Sequence, residues 1–206
     1  MVCWCGVIAG SATLAVRRKY STSAFWKDVQ KFNASAIGYV GELCRYLIDA
    51  PETELDRAHR VTKMIGNGMR PNIWGKFKDR FGVQEVLELY ASSEGNVGFS
   101  NIFNFDNTVG FSPTPYAIVE FDKEKNELVR DKKGYCKKVK TGEVGLLIGK
   151  ITSRSPFDGY TDPEKNKSVI LKDVFTKGDS YFNTGDLVRD IGFRHAQFVD
   201  RLGDTF

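Results

Sequence analysis

A chain of 206 residues, 41% hydrophobic and 27% charged, can bury a substantial core and carries no signature of disorder. Its net charge of +4, from 30 basic against 26 acidic side chains, is not gathered into the aromatic-interleaved basic stripe that nucleic-acid binding requires. Cys3, Cys5, Cys44 and Cys136 are scattered among only two histidines, His59 and His195, which builds no zinc site and suits buried reduced thiols in a cytosolic compartment.

The most apolar stretch, residues 6–16, is too short to span a bilayer, which takes roughly 20 residues. It lacks the basic lead of a signal peptide and is expected to end in a strand over 13–18. A helix over 23–32 follows, with Ser21 or Ser23 as N-cap and Phe25, Val29 and Phe32 on one face. A strand is expected over 36–39, then a helix over 42–49 burying Leu43, Tyr46 and Leu47. After the polar loop at 51–54 come a strand over 61–65 and a helix from Pro71 that carries Ile73, Trp74, Phe77 and Phe81 inward. A strand over 85–90 completes a β-α-β-α-β series, which predicts an α/β fold, part of a doubly wound parallel sheet, over residues 1–100.

Beyond residue 100 the texture changes to short strands at 116–121, 127–130, 143–151, 181–182 and 197–199, separated by glycine-bearing turns. One helix, around 164–172, interrupts them. Residues 101–206 are therefore expected to form a small distorted β-barrel or curved sheet.

Three glycine-bearing turns lie at predicted strand ends. Gly66-Asn67-Gly68 lets backbone approach a flat ring closely, or is a plain β-α turn. In Tyr90-Ala91-Ser92-Ser93-Glu94-Gly95-Asn96, Ser93 can donate to a phosphate oxygen and Glu94 can hold Mg²⁺; alternatively, Ser92 or Ser93 caps a helix. In Tyr181-Phe182-Asn183-Thr184-Gly185-Asp186, Asp186 can accept two hydrogen bonds from ribose hydroxyls, and Arg201, in the later charged turn, offers a fork to hydroxyl or phosphate oxygens. Taken singly, each is also readable as a turn or a surface pair.

In this order the motifs resemble the adenylate-forming (AMP-binding) superfamily, and within it the very-long-chain acyl-CoA synthetase and fatty acid transport protein family. Residues 90–96 are similar to its Tyr-Ala-(Ala/Ser)-(Thr/Ser)-Glu-Gly-Asn, Gly142-Glu143-Val144-Gly145 to its Gly-Glu-x-Gly core, and residues 181–186 to its aromatic-rich Thr-Gly-Asp motif. Residues 198–206 resemble the start of its long signature, and residues 37–47 and 155–160 look specific to this branch. The resemblance covers nearly the whole chain, from about Ala15 to Phe206.

The resemblance implies an ATP-dependent long-chain fatty acid–CoA ligase, which forms acyl-adenylate and then acyl-CoA, coupled to fatty acid uptake. Tyr90 would stack on adenine, Gly66, Asn67 and Gly68 would line the other side of the base, Ser93 and Glu94 would serve phosphate and Mg²⁺, and Asp186 and Arg201 would grip the ribose. Tyr39 and Gly41 would lie along the acyl channel, and Gly203 at or beside a hinge. The expected ligands are ATP, Mg²⁺, coenzyme A and a long-chain fatty acid. A location on the cytoplasmic side of a membrane, with peripheral contact, is implied too. The family's phosphate loop and catalytic lysine have no counterpart in these 206 residues, so the chain is expected to be part of a large domain, inactive and poorly soluble alone. Two rival readings are a fatty acid transport protein acting without catalysis and a nucleotide-binding module without activity.

Overall fold

A computed structural model describes residues 2–92 and 96–203, with side chains from Gly6 onward within them. The chain divides into two units, residues 1–89 with 101–107, and residues 90–100 with 108–206.

In the first unit α1 (Val2–Ala9) is followed by irregular chain where a strand was expected over 13–18. Val16 is 73% exposed, and its segment pairs with no strand among the described residues, so it gains neither ladder nor burial. Next, α2 (Thr22–Lys31) buries Trp26 and Val29. Phe32, expected on that face, sits at the C-cap and is exposed, while the Trp26 ring stacks on His59 and tilts against Phe81. Ser21 occupies the N-cap position without a side-chain capping bond.

Strand β1 (Ala36–Val40) leads directly into α3 (Gly41–Asp49). This helix buries Cys44 and Leu47, leaving Leu43 half-buried and Tyr46 exposed, one residue out of phase with the expected Leu43–Tyr46–Leu47 face. At its first residue, Gly41, the backbone lies too close to that of Gly68 to admit a side chain. A single 3₁₀ turn at Glu54–Asp56 precedes β2 (Lys63–Asn67), and α4 (Pro71–Phe81) buries Ile73, Trp74, Phe77 and Phe81 as predicted. Strand β3 (Glu85–Ala91) begins in this unit, and β1, β2 and β3 form a parallel ladder in that order.

One face of the ladder (Ile37, Tyr39, Met64, Val86) and the apolar stripes of α2, α3 and α4 share a single core. The Asp56 carboxylate is tied to the Arg80 guanidinium at 2.7 Å, both nearly buried, and Arg80 also donates to the carbonyls of Ile48, Ala50 and Pro51.

In the second unit the strands are β4 (Gly98–Ser100), β5 (Gly110–Phe111), β6 (Tyr116–Val119), β7 (Phe121–Asp122), β8 (Glu127–Leu128) and β9 (Val144–Lys150). Then come α5 (Pro163–Val169), β10 (Ile170–Lys172), β11 (Ser180–Asp190) and β12 (His195–Arg201). The main sheet runs β4-β5-β12-β11-β9-β6, antiparallel wherever these strands pair, with β10 on β11; β7 and β8 form their own hairpin. In β9, Leu146 and Ile148 point into one core and Leu147 into another, which is why the strand reads as an unbroken apolar run.

Three further expectations change here. The helix expected over 164–172 stops at Val169, beyond which residues 170–172 pair with β11. The two-residue strand at 181–182 is part of an eleven-residue strand. Thr184-Gly185-Asp186 is therefore a bulge inside β11, marked by a register shift against β9 between Asn183 and Leu187, and not a turn at a strand end.

Candidate functional site

Tyr90, Asp186 and Arg201 lie far apart in sequence, and the second unit joins them. Tyr90 stands near the end of β3, and its hydroxyl donates to Asp186 Oδ2 at 2.6 Å. Arg201 is the register partner of Asp186 across β11 and β12, and its Nε lies 3.3 Å from Asp186 Oδ1. The bulge makes this geometry: Gly185 takes φ of +74°, a left-handed conformation that suits glycine, and its carbonyl accepts the Leu202 N–H. Thr184 Oγ1 bonds the Leu147 carbonyl and receives the Asp186 N–H, so the carboxylate is held from its own backbone.

Asp186 is 7% exposed, while the Arg201 side chain remains 59% exposed. Tyr90 packs edge-on against Phe99, and burial, then the Asp186 charge, push its phenol far above the ordinary range. The arrangement presents a neutral phenol, a fixed carboxylate and an exposed guanidinium. Such a set can accept from neighbouring hydroxyls and donate to oxygen anions.

Ser93 and Glu94, the residues expected at phosphate and Mg²⁺, lie outside the described residues, as does Gly95. The segments on either side of them are anchored. The Ser92 N–H bonds the Val97 carbonyl, and the buried Asn96 side chain donates to the carbonyls of Lys150 and Ser155. Ser155 Oγ returns a bond to the Asn96 carbonyl. Strand β4 opens at Gly98, and the helix-cap alternative, which falls on Ser93 and Glu94, lies outside the described residues too. Among the described residues no cluster of three or more His, Cys, Asp or Glu could hold a metal ion.

In the first unit Gly66 and Asn67 close β2, and Gly68 lies in the short link to α4. Two backbone approaches fix this link. A Cβ on Gly41 would fall 1.6 Å from the Gly68 carbonyl oxygen, and one on Gly66 would fall 2.1 Å from the Tyr39 carbonyl oxygen. The turns after β1 and β2 therefore touch through bare backbone, and Tyr39 and Gly41 belong to that contact.

Beneath it lies Glu88, which the sequence reading passed over. Its carboxylate accepts the Tyr39 hydroxyl and the N–H groups of Gly68 and Met69, the last at 3.2 Å. The alternation of β3 contained the signal: Val86 and Glu88 share the inward face, and a carboxylate at a core position needs partners. Asn96 was quoted within its motif, yet its anchoring role depends on carbonyls more than fifty residues away that no local pattern specifies.

Gly203 follows β12 with φ of +94°. No helix among the described residues is long and apolar enough to cross a membrane.

The AMP-binding enzyme family model matches residues 1–148. The medium/long-chain-fatty-acid–CoA ligase FadD6 of Mycobacterium tuberculosis is 48% identical over 200 residues, 97% of this chain and 34% of that protein. Long-chain fatty acid transport protein 2 of Rattus norvegicus is 46% identical over 211 residues, 98% of this chain and 34% of that protein. The chain thus spans about a third of the length of these relatives. Among solved structures, ATP-bound MatB from Rhodopseudomonas palustris superposes with a TM-score of 0.68 at 19% identity, over 97% of this chain and 37% of that one. A long-chain-fatty-acid-CoA ligase (FadD1) from Archaeoglobus fulgidus does so with a TM-score of 0.64 at 15% identity, over 95% and 40%. At such identities the structures establish a shared fold alone.

Proposed function

Because this chain belongs to the AMP-binding enzyme family, we propose that it carries nucleotide-binding elements of an ATP-dependent fatty acid–CoA ligase. The observation that carries the reading is the Tyr90–Asp186–Arg201 constellation, three residues from separate strands held together at 2.6 and 3.3 Å. Asp186 accepts the ribose hydroxyls, Arg201 swings onto an ester or phosphate oxygen, and Tyr90 holds Asp186 in place while offering its ring to the base. Gly66, Asn67 and Gly68 supply flat backbone for the base.

In the proposed reaction a fatty acid carboxylate attacks the α-phosphate of ATP, pyrophosphate leaves, and the coenzyme A thiol then displaces AMP from the acyl carbon. Both nucleophiles belong to substrates, so the protein's part is positioning and electrostatic stabilisation. Ser93 and Glu94 fit phosphate and Mg²⁺ by their donor chemistry, the cation supplying charge neutralisation at the phosphates when bound. Tyr39 and Gly41 would border the acyl chain, Gly203 would absorb a backbone rotation, and contact with a membrane would be peripheral.

Calorimetric titration of the chain with AMP tests the nucleotide reading. Asp186→Asn should weaken binding about tenfold, the loss of one charge-assisted bond; unchanged affinity would remove Asp186 from the site. A second reading, transport without thioester formation, draws on the name of the transport protein relative. Fatty acid uptake by cells expressing a Glu94→Ala form of the intact protein separates the two, since uptake independent of ligation should survive the substitution.

A further inference from the structure

We propose that Glu88 is a positioning residue: its buried carboxylate anchors the backbone of the Gly66–Gly68 turn to Tyr39 of β1 and thereby fixes the surface offered to the nucleotide. The inference rests on the nucleotide reading above for its ligand, and on geometry within the first unit for its mechanism.

Glu88 is 2% exposed in a core otherwise built of apolar side chains. An ionised carboxylate in such a place is costly without partners, and here they come from β1 and from the link that follows β2. Oε1 accepts from Gly68 N–H and from Met69 N–H, while Oε2 accepts from Tyr39 O–H. The two amides need this acceptor. They lie between the end of β2 at Asn67 and the start of α4 at Pro71, where neither ladder nor helix provides one, and the N-cap residue Arg70 makes no side-chain capping bond.

The same turn is pinned from its other side by Gly41, whose Cα hydrogens face the Gly68 carbonyl with no room for a methyl group. Gly68 is thus held at its N–H by Glu88 and at its C=O by Gly41. A leucine at position 88 would fill the core equally well and leave the buried Met69 amide and the part-buried Gly68 amide without this acceptor. The carboxylate is therefore explained by the turn and not by the core. Burial pushes the Glu88 carboxyl up to about 7 against the opposing pull of its three donors.

Amide hydrogen exchange and AMP titration on the chain, with Glu88→Leu and Glu88→Gln, test this. Glu88→Leu should accelerate exchange at Gly68 and Met69 by about tenfold or more, leaving amides in the middle of α4 unchanged. Glu88→Gln, which keeps one acceptor oxygen, should restore part of the protection and part of the AMP affinity. Undisturbed exchange at both amides in a folded Glu88→Leu chain would overturn the anchor. Faster exchange with unaltered AMP affinity would overturn the positioning role while leaving the nucleotide reading intact. A wild-type chain that fails to bind AMP defeats the nucleotide reading, and exchange still decides the anchor. Should Glu88→Leu fail to fold, Tyr39→Phe removes one donor and keeps the ring. It should speed exchange at the same two amides severalfold, and no change there would count against the proposal.

Discussion

At the scale of single residues, the carboxylates Asp186 and Glu88 have opposite situations. Asp186 is tied to a charge partner that reaches solvent, while Glu88 has only neutral donors and an apolar surround. Glu88 therefore makes stability depend on pH. Its carboxyl is raised from an ordinary 4.5 to about 7, so the folded state binds a proton that the unfolded state releases. That contribution is complete below about pH 4.5 and is lost as pH rises through 7, by an amount on the order of 3 kcal/mol. Denaturant unfolding of wild type and Glu88→Gln between pH 4.5 and 8 should show this decline in the wild type only; parallel profiles would refute it. Neighbouring Tyr39 and Cys44 do not blur the window, since burial pushes the Cys44 thiol up to about 12 and the phenol higher still. Asp186 and Arg201 were singled out in the sequence through the order of their motifs and the family resemblance, since each motif taken singly also reads as a turn or a surface pair. Glu88 was not, because a glutamate in a strand looks like an exposed one until its face is known.

At the scale of elements, the parallel ladder and its helices followed from periodicity, and the misreadings have local causes. The backbone contact at Gly41, which hydrophobic spacing cannot register, accompanies a buried face of Gly41, Cys44 and Leu47 in α3, so Tyr46, expected inside, is exposed, while Cys44 is buried as expected of the thiols. The bulge in β11 was read as a turn because its Gly-Asp pair has turn chemistry, whereas the pairing of both flanks with β9 is a long-range fact. One side chain links several elements of the first unit: Arg80 of α4 joins Asp56 and the carbonyls of Ile48, Ala50 and Pro51 at the end of α3 and just beyond it. Removing it leaves a nearly buried carboxylate and three carbonyls without their partner. We expect Arg80→Ala to destabilise the first unit by about 3 to 5 kcal/mol, measured by chemical denaturation with Trp26 and Trp74 fluorescence. A loss below about 1 kcal/mol would mean that water replaces the guanidinium freely.

At the scale of the whole molecule, β1 ends the strand order among the described residues, and its outward residues Ala36, Gly38 and Val40 are exposed. The opposite face of the ladder from the core carries Ile65 and Leu87, with the exposed Ile102 beside them around a cavity of about 260 Å³. Parallel sheets are ordinarily covered on both faces, and an open edge templates further pairing. The chain should therefore self-associate with rising concentration, and Ala36→Lys, which places a charge on the edge, should reduce the association. Sedimentation velocity across a hundredfold dilution decides this; a concentration-independent monomer would contradict it.

The contact between Gly41 and Gly68 also bears on how this sequence can vary. A Cβ on Gly41 would collide with the Gly68 carbonyl, whereas one on Gly68 would lie 3.6 Å from Gly41, so the steric constraint falls on position 41 and position 68 is limited by its left-handed φ of +81°. In a saturation library position 41 should return glycine almost exclusively. The exposed hairpin tip at Lys123, Glu124 and Lys125 should accept most residues and is the place to insert a reporter tag.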